Sequence, residues 1–154
     1  MDKQTIIDMK PGRELDAVVA ELMEYKAYKE KRGENELCVI HMPGETAPWM
    51  KSKYPQPERY SRVSCNEAVQ IGFYGNEFPR FSQDLSVVWE VIKHTKKKKF
   101  SCRRLFSECL REVISSRLDL SDGTFVIWPD CIFFLEPEDI CKAALLVMIQ
   151  ERDE

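Results

Sequence analysis

The chain carries its longest apolar run near its end, inside the stretch Pro137-Glu138-Asp139-Ile140-Cys141-Lys142-Ala143-Ala144-Leu145-Leu146-Val147-Met148-Ile149-Gln150. Apolar residues recur there every three to four positions, the spacing that places side chains on one face of a helix. Proline at the first helical position costs no hydrogen bond. The stretch predicts a helix over 137–150, with a buried face formed by Ile140, Ala143, Ala144, Val147 and Met148. The run at 143–149 is far shorter than the roughly 20 residues that cross a membrane.

The segments before this helix alternate between helical spacing and short β-rich runs. The helical spacing predicts helices over 13–26, 83–95 and 103–118. The β-branched and aromatic residues predict strands at 37–41, 68–74, 124–128 and 131–135. Helices interleaved with strands indicate an α/β (α+β) chain of one domain, 1–154, in which helices flank a small mixed β-sheet.

Local signals refine two of these helices. The helix at 13–26 is expected to fray through 25–32, where charge density rises. Ser82 precedes the helix at 83–95 and is expected to cap it, since its hydroxyl can accept an exposed amide. Trp89 falls on the apolar stripe of that helix, and Trp128 lies in a β-rich run. Both tryptophans are expected in the core.

Residues 43–60 interrupt the alternation with a proline-rich segment. Four of the eight prolines lie between Pro43 and Pro57, and each removes a backbone donor that a helix or a central strand needs. The pattern predicts a long irregular loop. Long irregular loops in compact domains are usually functional or disordered, so this segment is a candidate site.

Composition limits the class of protein. The 154 residues are 44% hydrophobic, too apolar for a disordered chain, and the net charge of −3 argues against a general nucleic-acid coat. The first residues lead into no apolar signal region. Without a signal region, the six cysteines are expected to be reduced thiols in the interior, and no pair shows the C-x-x-C spacing of a zinc knuckle or a redox site. Cys38 and His41 lie three apart on a predicted strand and so face opposite sides, and we expect no metal site.

Three helical segments carry a family resemblance. The first, 9–21, contains the run Gly12-Arg13-Glu14-Leu15-Asp16, and the others span 81–91 and 136–146. Together, and in this order, they resemble the phage ABA-sandwich domain, a family of small phage and prophage proteins. The resemblance implies a three-layer α-β-α sandwich and carries no established activity. The chain departs from the family pattern at 43–60 and at 101–118.

The proline-rich segment mixes aromatic rings with cations. Rings can stack a nucleotide base while cations hold its phosphates, and the same residue types dominate protein interfaces. The sequence therefore predicts ligand or partner binding, with the kind of partner left open. The predicted binding residues are Trp49, Lys51, Lys53, Tyr54, Arg59 and Tyr60.

A basic stretch at 93–104 holds seven lysines or arginines and no acid. One interpretation is a phosphate contact in nucleic acid or a nucleotide. The other is a solvated helix end, because lysines near a helix C-terminus complement its dipole. The residues predicted for a phosphate contact are Lys96, Lys97, Lys98, Lys99, Arg103 and Arg104.

The chain has no G-x-S-x-G, P-loop or H-E-x-x-H motif. We therefore interpret it as a non-enzymatic protein without a cofactor. With the resemblance, this favours a phage- or prophage-encoded accessory protein that binds a host defence protein or a small nucleotide signal in the bacterial host cytoplasm. A homodimer is the commonest assembly. The alternatives are a nucleic-acid-binding accessory protein that uses 93–104 and a small nucleotide-acting enzyme.

Overall fold

The computed structural model describes residues 1–97, 101–120 and 134–153. Within those residues the chain forms six α-helices and a three-stranded antiparallel sheet, which confirms the predicted α+β class. The helices are α1 (Lys3–Asp8), α2 (Arg13–Leu22), α3 (Cys65–Ile71), α4 (Leu85–Lys97), α5 (Ser101–Arg117) and α6 (Pro137–Asp153). The strands are β1 (Lys26–Arg32), β2 (Asn35–His41) and β3 (Tyr60–Val63). The predicted strand at 124–128, Trp128 and most of the predicted strand at 131–135 lie outside the described residues.

The chain divides into two compact units, Met1–Leu15 with Arg80–Glu154 and, between them in sequence, Asp16–Pro79. The first unit contains α1, α4, α5 and α6, and the second contains the sheet and α3. The single domain and the three-layer sandwich stay predictions. Among the described residues, no helix is long and apolar enough to cross a membrane.

Helix α6 is the core of the first unit and packs against α5, α4 and α1. Its predicted start at Pro137 is confirmed. Four of the five predicted core residues are buried, and Met148 is half-buried. The buried surface is wider than predicted, because Cys141, Lys142, Leu145 and Leu146 are also buried. A helix that is buried on most of its circumference lies inside its unit rather than on the surface.

Helix α4 begins after Asp84, so Ser82 is not its cap. The Asp84 carboxylate accepts hydrogen bonds from the Ser86 amide at 2.9 Å and the Ser86 hydroxyl at 2.6 Å. The Ser82 hydroxyl instead accepts from the Gly12 amide at 2.9 Å. The prediction that Trp89 is a core residue is also wrong, since 50% of it is exposed. The buried face of α4 is turned away from Trp89 and consists of Val88, Val91, Ile92 and Thr95.

Replacing Asp84 with alanine is expected to lower the melting temperature at neutral pH, and the loss should fade in acid. The bonds from Ser86 lower the pKa of Asp84. The contribution is therefore present above the unfolded pKa, about pH 4, and is lost as the pH falls through the folded pKa. Melting curves of the wild type and Asp84→Ala at neutral pH and at about pH 2 measure this. A deficit that is as large in acid as at neutral pH would contradict the assignment.

The hairpin of β1 and β2 corrects the prediction for 25–32. Helix α2 ends at Leu22, and the charged residues after it form a strand rather than a fraying helix. β1 pairs with β2 from Lys26↔His41 to Arg32↔Asn35. Gly33 opens the two-residue turn with a φ of 65°, where glycine carries no steric penalty. β1 is the central strand of the order β2-β1-β3, although five of its seven residues are charged.

Helix α3 replaces the strand predicted at 68–74, which is therefore wrong. The Ser64 hydroxyl accepts from the Glu67 amide at 3.1 Å, which caps the helix, and Gly72 ends it with a φ of 101°. Glu21 on α2 accepts from the Cys65 amide at 2.8 Å and satisfies a second amide of the first turn. Of the described residues, only Phe73 adds a parallel contact to the sheet, as an isolated bridge to Cys38.

Candidate functional site

The proline-rich segment builds a cleft against the end of the β-hairpin in the second unit. Two short 3₁₀ helices, Pro48–Lys51 and Pro57–Arg59, each begin at a proline and give the loop its shape. The cleft has a volume of about 680 Å³. We call it the loop cleft, and it is lined by Glu30, Lys31, Arg32, Gly33, Trp49, Ser52, Tyr54, Gln56, Arg59 and Tyr60.

Trp49 is held in the wall of the loop cleft by two other rings. Its ring meets Tyr28 edge-on, with centroids 5.1 Å apart and planes at 90°. On another side it lies 5.7 Å from the Tyr60 ring at 49°. Edge-to-face and tilted pairs at these distances are favourable arrangements of aromatic quadrupoles. Trp49 is half-buried and fixed in orientation, whereas Tyr54 is 72% exposed.

A buried carboxylate anchors the other wall. Glu30 is only 6% exposed and pairs in register with Tyr60 across β1 and β3. Its carboxylate accepts from Arg32 Nε at 2.9 Å and from the Tyr60 hydroxyl. Burial, followed by the negative charge of Glu30, raises the pKa of Tyr60. The hydrogen bond to Glu30 is the largest cause that raises the pKa of Arg32, so both neighbours keep their protons.

The loop cleft is positively charged, although the whole chain has a net charge of −3. Its lining holds three cations, Lys31, Arg32 and Arg59, and one carboxylate, Glu30, which leaves a net charge of +2. Glu30 is already paired with Arg32. Among the described residues, none forms an ion pair or side-chain hydrogen bond with Arg59 or Lys31. The cleft therefore carries cations that no described side chain pairs with.

Four of the six predicted binding residues line the loop cleft, namely Trp49, Tyr54, Arg59 and Tyr60. The other two lie on the same segment without lining it. Lys51 forms an ion pair with Glu45 at 3.3 Å. The Lys53 ammonium lies 5.7 Å from the centroid of the Tyr54 ring, within cation–π range.

The sequence prediction missed the hairpin side of the cleft. Glu30 and Arg32 were expected in a frayed helix end, where they would have no fixed neighbour. The strand instead directs them to the cleft, and Arg32 also lies over the Tyr74 ring at 4.4 Å. The sequence of β1, Lys-Ala-Tyr-Lys-Glu-Lys-Arg, shows no alternation of apolar and polar residues, so the local sequence offered no signal for this strand.

The basic stretch at 93–104 is only partly described. Helix α4 runs to Lys97, which places its lysines at a helix C-terminus. Lys93 pairs with Glu90 at 2.7 Å, and Arg104 pairs with Glu108 at 2.9 Å. The predicted phosphate contacts at Lys98 and Lys99, and the side chains of Lys96, Lys97 and Arg103, lie outside the described part. Phosphate binding by this stretch stays a prediction.

A second cleft, of about 600 Å³, lies along α5 in the first unit. Its charged lining is mostly acidic, with Glu108, Glu112 and Asp119 against Arg111, and it contains no aromatic ring. Glu112 and Glu108 are already paired, with Lys3 and Arg104. This second cleft has neither the positive charge nor the aromatic rings of the loop cleft.

The cysteines form no site in the part of the chain that the structure describes. Cys38, Cys65, Cys109 and Cys141 are buried and form no disulfide. Burial raises the pKa of Cys65 to about 12 and that of Cys109 to about 11, so neither is a thiolate at neutral pH. Among the described residues, no group of three or more histidine, cysteine, aspartate or glutamate side chains could hold a metal ion.

Comparisons with protein-family models, with curated proteins and with solved structures gave no match. The resemblance to the phage ABA-sandwich domain therefore stays a prediction.

Proposed function

We propose that this protein acts by binding and that the loop cleft is its binding site. One observation carries the proposal: Trp49, Tyr54, Arg59 and Tyr60, which the sequence predicts as binding residues, line one cleft in which Glu30 holds a second arginine. A fixed aromatic wall and cations without partners are features of a recognition surface. The lining of the loop cleft contains neither histidine, the commonest general base, nor cysteine, an intrinsically strong nucleophile, which favours binding over catalysis.

We further propose that the bound species belongs to a bacterial defence system, as a host defence protein or a small nucleotide signal. The resemblance of 9–21, 81–91 and 136–146 to phage and prophage proteins supports this role. In this proposal the protein acts in the host cytoplasm as an accessory factor that inhibits or evades defence. The loop cleft suits this role, because its rings and cations can contact either a protein or a nucleotide.

Replacing Trp49, Tyr54 and Arg59 together with alanine is expected to abolish binding, because the variant removes two of the three rings that line the cleft and one of its two cations without an ion pair to a described residue. Native mass spectrometry of gently purified protein detects a retained small molecule, and pull-downs from host lysate detect a protein target. We expect the wild type to retain its ligand or partner and the triple variant to lose it.

The matched control is the double variant Lys51→Ala with Lys53→Ala. It removes two cations from the same segment but none from the cleft lining. The control should bind like the wild type, and circular dichroism and melting should show all three proteins folded. Binding that survives in the folded triple variant would refute the loop cleft as the site.

A further inference from the structure

We propose that the ligand of the loop cleft is a nucleotide, with its base against Trp49 and its phosphate at Arg59. The inference rests on the proposed function and deepens it, because it chooses a small molecule over a protein target. Size, charge and ring geometry support it independently.

The volume of the cleft suits a small molecule. Pockets for small ligands and cofactors typically enclose about 300–1,000 Å³. The loop cleft, at about 680 Å³, lies in the middle of this range. A protein partner of ordinary interface size would need a larger and flatter surface.

The charge of the cleft selects an anion. Glu30 is neutralised by Arg32, which leaves Lys31 and Arg59 as the positive groups with no partner among the described residues. Arginine presents a planar fork of donors that matches the oxygens of a phosphate. Arg59 is exposed, so a phosphate can reach it without displacing a protein group.

The aromatic rings of the cleft favour a ligand that carries a flat ring, which inorganic phosphate lacks. Trp49 is fixed between Tyr28 and Tyr60, so its accessible surface in the cleft is preorganised for a flat ligand. Tyr54 is 72% exposed on the same cleft and offers a second ring for stacking. Base–aromatic stacking tolerates any base, because every base has a π-face.

Two polar side chains supply groups that a base edge needs. Gln56 and Ser52 also line the cleft, and the Ser52 hydroxyl accepts from the Tyr54 amide at 3.2 Å. An amide offers both donors and an acceptor, and a hydroxyl offers one donor and acceptor lone pairs. The cleft therefore offers rings for the base, cations for the phosphate and polar side chains for the edge of the base.

Isothermal titration calorimetry with the four ribonucleoside 5′-monophosphates, their dinucleotides, the parent nucleosides and inorganic phosphate tests the inference. At about 50 mM salt we expect at least one nucleotide to bind about tenfold or more tightly than its nucleoside and than phosphate. Arg59→Ala should weaken nucleotide binding about tenfold and leave nucleoside binding unchanged. Trp49→Leu should weaken both.

The matched control is Arg62→Ala on β3, which removes an exposed arginine that does not line the cleft. It should bind nucleotides like the wild type. Equal affinity for nucleotide and nucleoside, or no effect of Arg59→Ala in a folded protein, would overturn the inference.

Failure of the inference is distinguishable from failure of the proposed function. If no nucleotide binds at about 1 mM while native mass spectrometry or pull-downs still show a species that the triple alanine variant loses, the nucleotide is wrong and the cleft remains the site. If the triple variant and the wild type retain the same species, the cleft is not the site and both proposals fall.

Discussion

Replacing Asp139 with alanine is expected to lower the free energy of unfolding by about 3 kcal/mol, the largest effect we anticipate for a single polar side chain. The Asp139 side chain is fully buried at the start of α6. Removing one partner of a buried ion pair typically costs about 3–5 kcal/mol, because the other charge loses its compensation. The lower end applies here, since 27% of the Arg117 side chain is exposed.

The size of this effect follows from how many groups Asp139 satisfies. Its two carboxylate oxygens accept from Arg117 Nε at 3.0 Å and from Nη2 at 2.9 Å, a bidentate arrangement. One of them also accepts from the Glu136 amide at 2.9 Å, which caps the first turn of α6. Arg117 further donates to the carbonyl of Phe134. The hydrogen bonds to Asp139 raise the pKa of Arg117.

Urea unfolding of Asp139→Ala beside Glu90→Ala measures the difference. Glu90 pairs with Lys93 at 2.7 Å, but both side chains are more than half exposed, and such pairs contribute about 0–1 kcal/mol. The loss of unfolding free energy in Asp139→Asn should lie between those of Asp139→Ala and Glu90→Ala, because asparagine keeps the shape of the side chain but accepts fewer charge-assisted hydrogen bonds. If Asp139→Ala costs no more than Glu90→Ala, the pair does not anchor α6.

The helices were predictable because burial imposes a local period on the sequence. The predicted starts of the helices near Arg13 and Pro137 are confirmed, since proline placement and apolar spacing act within one element. In α4 the spacing identified the buried face only in part, since Val88 and Ile92 are buried. In α4, Leu85 and Trp89 are about half exposed, while Val91, one position off the predicted stripe, is fully buried.

The strand β1 was not predictable from local sequence. Lysine, arginine and glutamate have low β-propensity, and they make up most of β1. The strand is stabilised by partners on both sides, including Lys29 against Glu36 at 3.3 Å and the pairing with β3. Such pairing depends on residues some thirty positions away. The same reasoning explains why the loop side of the cleft was found and the hairpin side was missed.

Replacing Glu30 with alanine is expected to destabilise the protein by about 1.5–3 kcal/mol and to weaken ligand binding, because one buried carboxylate orders two walls of the cleft. Glu30 accepts from Arg32 and from the Tyr60 hydroxyl, and Tyr60 in turn contacts the Trp49 ring. Without the carboxylate, the Tyr60 hydroxyl loses its acceptor in a half-buried position. Urea unfolding gives the stability, and calorimetry with the best-binding nucleotide gives the affinity.

The matched control is Glu36→Ala on the same hairpin, where the exposed carboxylate pairs only with Lys29 among its described neighbours. An exposed pair of this kind contributes less than about 1 kcal/mol, and Glu36 does not line the cleft, so affinity should not change. Glu30→Gln keeps the shape and one acceptor, and it should recover part of the stability.

Equal stability of Glu30→Ala and Glu36→Ala would show that Glu30 does not order the cleft. A loss of stability with unchanged affinity would show that Arg32 and Tyr60 lie outside the binding surface. The expected result, in which stability and affinity fall together, would identify Glu30 as the residue that positions the cleft's second arginine and its aromatic wall.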